Sequence, residues 1–230
     1  MHTVRPILLY DIDGTLLKVK KQFLLELIGE QLKAFNVEKP ETTTKSFAGR
    51  TDRGIFMELI GEHPDSDRLF TELKEQYSKA MIRHLLPNKI DRIDDAAESV
   101  QQAVELGIHV GLCTGNFREV AFKKVETAGL NDFFRFGGFG GEYEDRNMLP
   151  GEADRDYKSV YGQTPSPSSY VVIGDTPNDI RCAKYFGAVS VAVTTGGFSK
   201  DNLAAHNPDL ILDSLANPSR WLSELGFQLP

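Results

Sequence analysis

The spacing of apolar and polar positions along this chain changes several times, and each change marks an element. Residues 5–10, centred on Ile7-Leu8-Leu9-Tyr10, make a short unbroken apolar run that reads as a buried parallel strand. From about residue 18 the period becomes helical, with Phe23, Leu24, Leu27, Ile28, Leu32 and Phe35 on one stripe. A second helix spans Thr51 to Leu59, with Ile55, Phe56, Leu59 and Ile60 on its apolar face. A third covers 66–86 and carries Leu69, Leu73, Tyr77, Ala80 and Met81. No strand pattern interrupts these helices, and Pro87-Asn88 punctuates the return of the chain.

Beyond residue 88 strands and helices alternate. Helices are predicted over Ala96–Leu106, Glu119–Ala128, Leu149–Gly162 and Asp179–Phe186, with Gly129 and Gly187 as C-terminal stops. Strands are predicted over Ile108–Cys113, Phe133–Phe136 (followed by a glycine-rich loop), Tyr170–Ile173, Val189–Val193 and Leu210–Leu212. This order predicts an α/β protein: a doubly wound, Rossmann-like parallel-sheet core formed by residues 1–17 and 89–230, with a helical cap inserted at 18–88.

Composition narrows the class. An apolar share of 40% is ordinary for a water-soluble chain, and no apolar stretch approaches the ~20 residues that span a membrane. The run at 6–10 is cut by Asp11 and is too short for a secretory signal core. A net charge of −7 argues against a general nucleic-acid surface. Two cysteines, Cys113 and Cys182, provide no disulfide framework, and Cys113 reads as a small buried strand residue. The five histidines show no metal-binding spacing. A cytoplasmic protein without membrane or nucleic-acid partners is the default expectation; oligomeric state is open.

The chemistry concentrates at strand ends. Asp11-Ile12-Asp13-Gly14-Thr15 follows the first strand directly, at the carboxyl edge where open α/β sheets bind ligands. Gly14 relaxes the backbone so that the loop can close on an anion. Two acids this close repel unless a cation or a shared proton intervenes. That is the arrangement expected of a carboxylate nucleophile, an acid/base partner and a divalent metal.

Three segments in order, each after an apolar run, resemble the signatures of the haloacid dehalogenase superfamily in its phosphatase form: Asp11-Ile12-Asp13-Gly14-Thr15, Gly111-Leu112-Cys113-Thr114-Gly115-Asn116 and Gly174-Asp175-Thr176-Pro177-Asn178-Asp179. The resemblance implies a magnesium-dependent phosphomonoester hydrolase of a small phosphorylated metabolite. Asp11 would be the nucleophile that forms an aspartyl-phosphate, and Asp13 the general acid and base, with its backbone carbonyl on Mg2+. Asp175 would be a direct metal ligand. Asp179 would bind through water or orient a ligand, or simply cap its helix. Thr114 would hold a phosphate oxygen, with the Gly115 and Asn116 amides beside it, and Gly14 would shape the same loop.

The third signature departs from the family pattern, which has a lysine often followed by proline. Arg146, in Glu144-Asp145-Arg146-Asn147, occupies the corresponding stretch, with Lys124 and Lys158 as competitors. The insert resembles the lid of the phosphoglycolate phosphatase and β-phosphoglucomutase branch. In Phe47-Ala48-Gly49-Arg50-Thr51-Asp52, Arg50 would meet a second anionic group of the substrate, with Lys18, Lys20 and Lys21 as weaker candidates, while Thr51 and Asp52 could cap the next helix. Phosphoglycolate is the substrate the resemblance suggests. A phosphosugar mutase and a non-catalytic binding protein are the alternatives, the complete acid set weighing against the latter.

Overall fold

The computed structural model describes residues 5–35 and 47–229; residues 1–4, 36–46 and 230 of the expected core and insert lie outside it. A parallel sheet of six strands is ordered β5-β4-β1-β6-β7-β8, formed by Gly137–Phe139, His109–Thr114, Ile7–Tyr10, Tyr170–Gly174, Val189–Val193 and Leu210–Leu212. Parallel strands need helical crossovers, and these cover both faces. Along β1, Leu8 and Tyr10 enter one core with residues of α4 (Asp94–Glu105), α5 (Arg118–Thr127) and α9 (Pro218–Glu224). Ile7 and Leu9 point to the other, against α6 (Leu149–Tyr161) and α7 (Pro177–Phe186). Burial on both faces explains why β1 reads as an unbroken apolar run. One further short helix, α8 (Lys200–Ala204), precedes β8.

The chain leaves the sheet after β1 through β2 (Leu17–Val19) and returns through β3 (Ile90–Arg92). These two pair antiparallel, with Leu17 opposite Arg92 and Val19 opposite Ile90. Between them lie α1 (Lys21–Ala34), α2 (Asp52–Ile60) and α3 (Ser66–His84). Their apolar stripes meet through Leu27, Ile28, Leu32, Phe56, Phe70, Tyr77 and Met81, which continue the core beneath them. The two-stranded ribbon was not expected from the sequence; three residues a side are too few to show a period of two.

A second difference lies at β5. The expected strand at Phe133–Phe136 is not one. Residues Asn131–Phe133 make a single 3-10 turn, and the strand is the glycine-bearing Gly137–Phe139, expected as a loop. The cause is close packing. Helix α6 runs so near that a Cβ on Gly138 would collide with the Leu149 carbonyl, and a Cβ on Gly137 would lie 2.7 Å from the Leu112 carbonyl. Among the described residues no helix is long and apolar enough to cross a membrane.

Replacing Gly138 by Ala forces α6 away from the sheet. We expect Gly138→Ala to lose about 1–3 kcal/mol of unfolding free energy, read from denaturant titration, as overpacked cores do. An unchanged midpoint would show that α6 yields freely.

Candidate active site

Strand register sets the site. Tyr10 of β1 lies beside Leu112 of β4 and Ile173 of β6, so Asp11, Thr114 and Asp175 emerge from neighbouring strand ends. The strand order reverses at β1, the switch point where such sheets open a crevice. After Asp11 the chain turns at once: Leu16 N–H donates to the Ile12 carbonyl at 2.9 Å, and Gly14 takes φ +92°. A Cβ on Gly14 would strike the Asp175 carboxylate, so glycine lets two catalytic-edge loops touch.

Asp11 and Asp175 are each 4% exposed, Asp179 2% and Arg146 6%, so a charge cluster sits out of water. Arg146 Nη2 donates to Asp11 Oδ1 at 2.9 Å, Asp179 Oδ1 at 2.5 Å and the Cys113 carbonyl at 3.2 Å. Burial opposes the guanidinium charge, but Asp179 and Asp11 outweigh it and hold its pKa well above the usual value. Burial is also the main force on the acids. It pushes Asp11 up to about 7, against the pull of Arg146, and holds Asp175 well above the usual carboxylate value, with Asp11 and Asp179 adding to the rise. Asp179 serves two purposes. Its Oδ2 accepts from Thr176 N at 3.0 Å and Thr176 Oγ1 at 2.7 Å, closing a capping box on α7, while Oδ1 faces Arg146.

The metal question can be tested on this cluster. One carboxylate oxygen from each of Asp11, Asp175 and Asp179 lies within 4.8 Å of the others. Asp175 Oδ1 is buried without any hydrogen-bond partner. Buried like-charged carboxylates with an orphaned oxygen are what a hard divalent cation satisfies, and an all-oxygen donor set suits Mg2+.

Asp13 is handled separately. Its Oδ2 accepts from Lys124 Nζ at 2.6 Å and from Asn116 Nδ2 at 2.8 Å. Lys124, 3% exposed, also donates to Asn116 Oδ1 at 2.6 Å. Thr114 Oγ1 accepts from Asn116 Nδ2 at 2.7 Å. Asp11, Asp13, Gly14, Thr114, Gly115, Asn116, Lys124 and Arg146 thus line the floor of one cavity of about 230 Å³. Of the three cations weighed for the third signature, Arg146 reaches Asp11 and Lys124 reaches Asp13. Lys158 is half-exposed on α6, paired with Asp154 at 2.7 Å, and lies outside the cavity.

Helices α1–α3 roof the cavity, and α2 docks through its N-terminus. Asp52 N–H donates to the Gly115 carbonyl at 2.6 Å and Arg53 N–H to the Gly140 carbonyl at 2.9 Å, so core carbonyls satisfy orphan helix amides. Thr51 accepts from Gly54 N at 3.1 Å as helix cap and donates to the Glu144 carbonyl at 2.8 Å. Asn178 Nδ2 donates to the Gly49 carbonyl at 2.6 Å. Arg50 lines the cavity, but its guanidinium turns back to Glu58 at 2.5 Å and the Gly54 carbonyl at 3.3 Å. Lys18 lines the cavity as well; Lys20 and Lys21 do not. Sequence reasoning missed that Lys124 serves Asp13 and that Asp52 reaches the core, because helical period reports which face is buried and not which charge meets it.

A family model described as haloacid dehalogenase-like hydrolase matches residues 8–193. The pyrophosphatase PpaX of Anoxybacillus flavithermus is 23% identical over 224 residues, covering 95% of this chain and 96% of that protein. A structure from Haemophilus somnus, described as a predicted phosphoglycolate phosphatase, has a TM-score of 0.72 at 18% identity, covering 96% of this chain and all of the other. CbbY from Rhodobacter sphaeroides, solved in complex with phosphate, has a TM-score of 0.69 at 17% identity, covering 93% and 96%. At such identities the structural likeness is one of fold.

Asp52 also yields a pH dependence. Its Oδ2 accepts from Phe117 N at 2.9 Å, at the head of α5. Burial raises its pKa to about 7, Lys124 and the Phe117 amide pull it down, and Asp13 and Glu119 push it up. A carboxyl raised on folding contributes stability that is complete below its unfolded pKa, about 4, and is lost as pH rises through about 7. We expect Asp52→Asn, which keeps the acceptor, to gain in denaturant midpoint relative to the parent as pH rises from about 4 to about 7, and to gain no more above that. Parallel curves would remove Asp52 as the titrating group.

Proposed function

Since the chain belongs to the haloacid dehalogenase-like hydrolase family, we propose that it is a magnesium-dependent phosphatase of small phosphate monoesters, acting through an aspartyl-phosphate on Asp11. The observation that carries this reading is the division of the cavity floor. Arg146 is bonded to Asp11, Lys124 and Asn116 are bonded to Asp13, and both acids face the same space. A nucleophile and an acid/base group thus have separate counter-ions. The PpaX match and the likeness to a structure described as a predicted phosphoglycolate phosphatase support a phosphate substrate.

In this mechanism an Asp11 oxygen attacks phosphorus and the ester P–O bond breaks. Asp13 gives its proton to the departing alkoxide, which leaves as the alcohol. Asp13 then takes a proton from water as that water attacks the aspartyl-phosphate, releasing inorganic phosphate and restoring Asp11. In-line transfer depends on positioning and charge more than on basicity, so a carboxylate suffices. Arg146 fixes Asp11 and offers its charge to the equatorial phosphoryl oxygens. Thr114 and the amides of Gly115 and Asn116 hold the same group near the start of α5. Asp11, the Asp13 carbonyl and Asp175 would hold Mg2+, with Asp179 orienting; when bound, the ion neutralises charge on the phosphoryl oxygens. Residues 18–88 act as the cap that excludes bulk water during transfer.

Phosphate release from a panel of esters, with Mg2+ or with chelator, tests the reading. Turnover should require Mg2+ and fall to background in Asp11→Asn. Arg146→Ala should lower kcat/KM by on the order of 10²–10³, Lys124→Ala by less, and Lys158→Ala not at all. A normal rate in Arg146→Ala alongside loss in a lysine variant would reassign the third-signature role.

A further inference from the structure

The two halves of the cavity differ in chemistry, and the difference bears on what leaves with the alcohol. The floor concentrates its ionic groups around one phosphoryl position, as described above. The roof offers Leu24 and Ile28 from α1, Phe47 from the approach to α2, Ile55 and Phe56 from α2, and Tyr77 from α3. Its rings are already packed. Phe56 stacks on Phe117 with centroids 5.6 Å apart, and Tyr77 meets Phe56 edge-on at 5.2 Å. Two cations border the roof among the described residues. Arg50 pairs with the exposed Glu58, and Lys18 is exposed on the ribbon; both sit at the edge of the roof, away from its ring-lined wall.

Among the described residues, a second anionic group placed against the ring-lined wall, away from Arg50 and Lys18, would press against hydrocarbon. An ionised carboxylate or phosphate taken out of water without a partner is strongly disfavoured. Of these six side chains the Tyr77 hydroxyl alone could serve a sugar hydroxyl, so an array of them would be mostly unpaired. An apolar group gains by displacing water from the same wall. Resting on the phosphatase reading above, we infer that the preferred substrate is the phosphate monoester of a compact, uncharged apolar alcohol, aryl-bearing or branched, with roof and rings as its specificity surface. A cavity of about 230 Å³ holds one such group beside the phosphoryl. Phosphoglycolate and pyrophosphate, each with a second anionic end, fit the floor and not the roof.

The test compares benzyl phosphate with phosphoglycolate and inorganic pyrophosphate on the full chain in Mg2+. Benzyl phosphate and phosphoglycolate are both esters of poorly acidic alcohols, so leaving-group activation does not decide their order. We expect kcat/KM for benzyl phosphate to exceed that for either substrate with a second anionic end by at least about tenfold. Leu24→Lys, at a half-buried position that tolerates a long side chain, should move the ratio toward phosphoglycolate by about tenfold. Equal or reversed preference in the parent protein overturns the inference and leaves the phosphatase intact. Should Leu24→Lys fold but leave the ratio unmoved, the roof is not the specificity surface and the inference fails. Absence of phosphate release from any of the three, and from p-nitrophenyl phosphate, overturns the phosphatase reading and the inference with it.

Discussion

Everything at the carboxyl edge of the sheet answers to one electrostatic constraint: several carboxylates are packed side by side out of water. Parallel pairing of β4, β1 and β6 leaves Asp11 and Asp175 on adjacent strands, and α7 adds Asp179 from below. Such a cluster is tolerable only with positive charge nearby. The chain supplies one guanidinium at its centre and one ammonium at its border. It leaves an oxygen of Asp175 without a protein partner. Burial makes the cluster costly, and the same burial lets each charge act strongly on a bound phosphoryl group.

The acids were readable from the sequence because their positions follow from simple rules. An apolar run ending in Asp places that carboxylate at the edge of a buried parallel strand; two such endings, Asp11 and Asp175, and a third run ending in Thr114 converge because the strands are neighbours. Where those rules lapse, so did legibility. β5 is two glycines and a phenylalanine, selected by the nearness of α6 and not by burying a branched side chain. The β2–β3 ribbon is held by its two ends being brought together, which no local pattern records. Lys124 sits in a helix whose period says it faces inward, yet its partner Asp13 lies 111 residues away. Arg50 was visible as a charged residue near the site, but its turn toward Glu58 depends on a rotamer and not on spacing.

The roof is attached through helix-start amides and through stacked rings. Polar contacts between α2 and the core are backbone to backbone or one side chain to one backbone group, and two of them use amides that a helix start leaves free. Glycines make the approach possible: a Cβ on Gly115 would collide with the Arg50 carbonyl, and one on Gly49 with Thr176 Oγ1. Rings add to this attachment: Phe56 of α2 and Tyr77 of α3 rest on Phe117 at the head of α5, so the same side chains hold the roof and line the cavity. The loop that the sequence marked for substrate contact is thus a seam through Gly49, Thr51 and Asp52, and it also lines the cavity through Phe47 and Arg50.

Arginine at position 146 is more than a lysine with a different shape. An ammonium is a compact point charge with three rotating donors, whereas a guanidinium is a planar fork of fixed directions. Here a single Nη2 faces Asp11, Asp179 and the Cys113 carbonyl together. Asp179 can accept this because its other oxygen is fully used in capping α7. The cap of α7, the orientation of Asp179 and the aim of Arg146 at Asp11 form one connected set. The helix cap behind Asp179 and the carboxylate of Asp11 in front thus meet at one nitrogen of Arg146, while its Nε is buried without a partner.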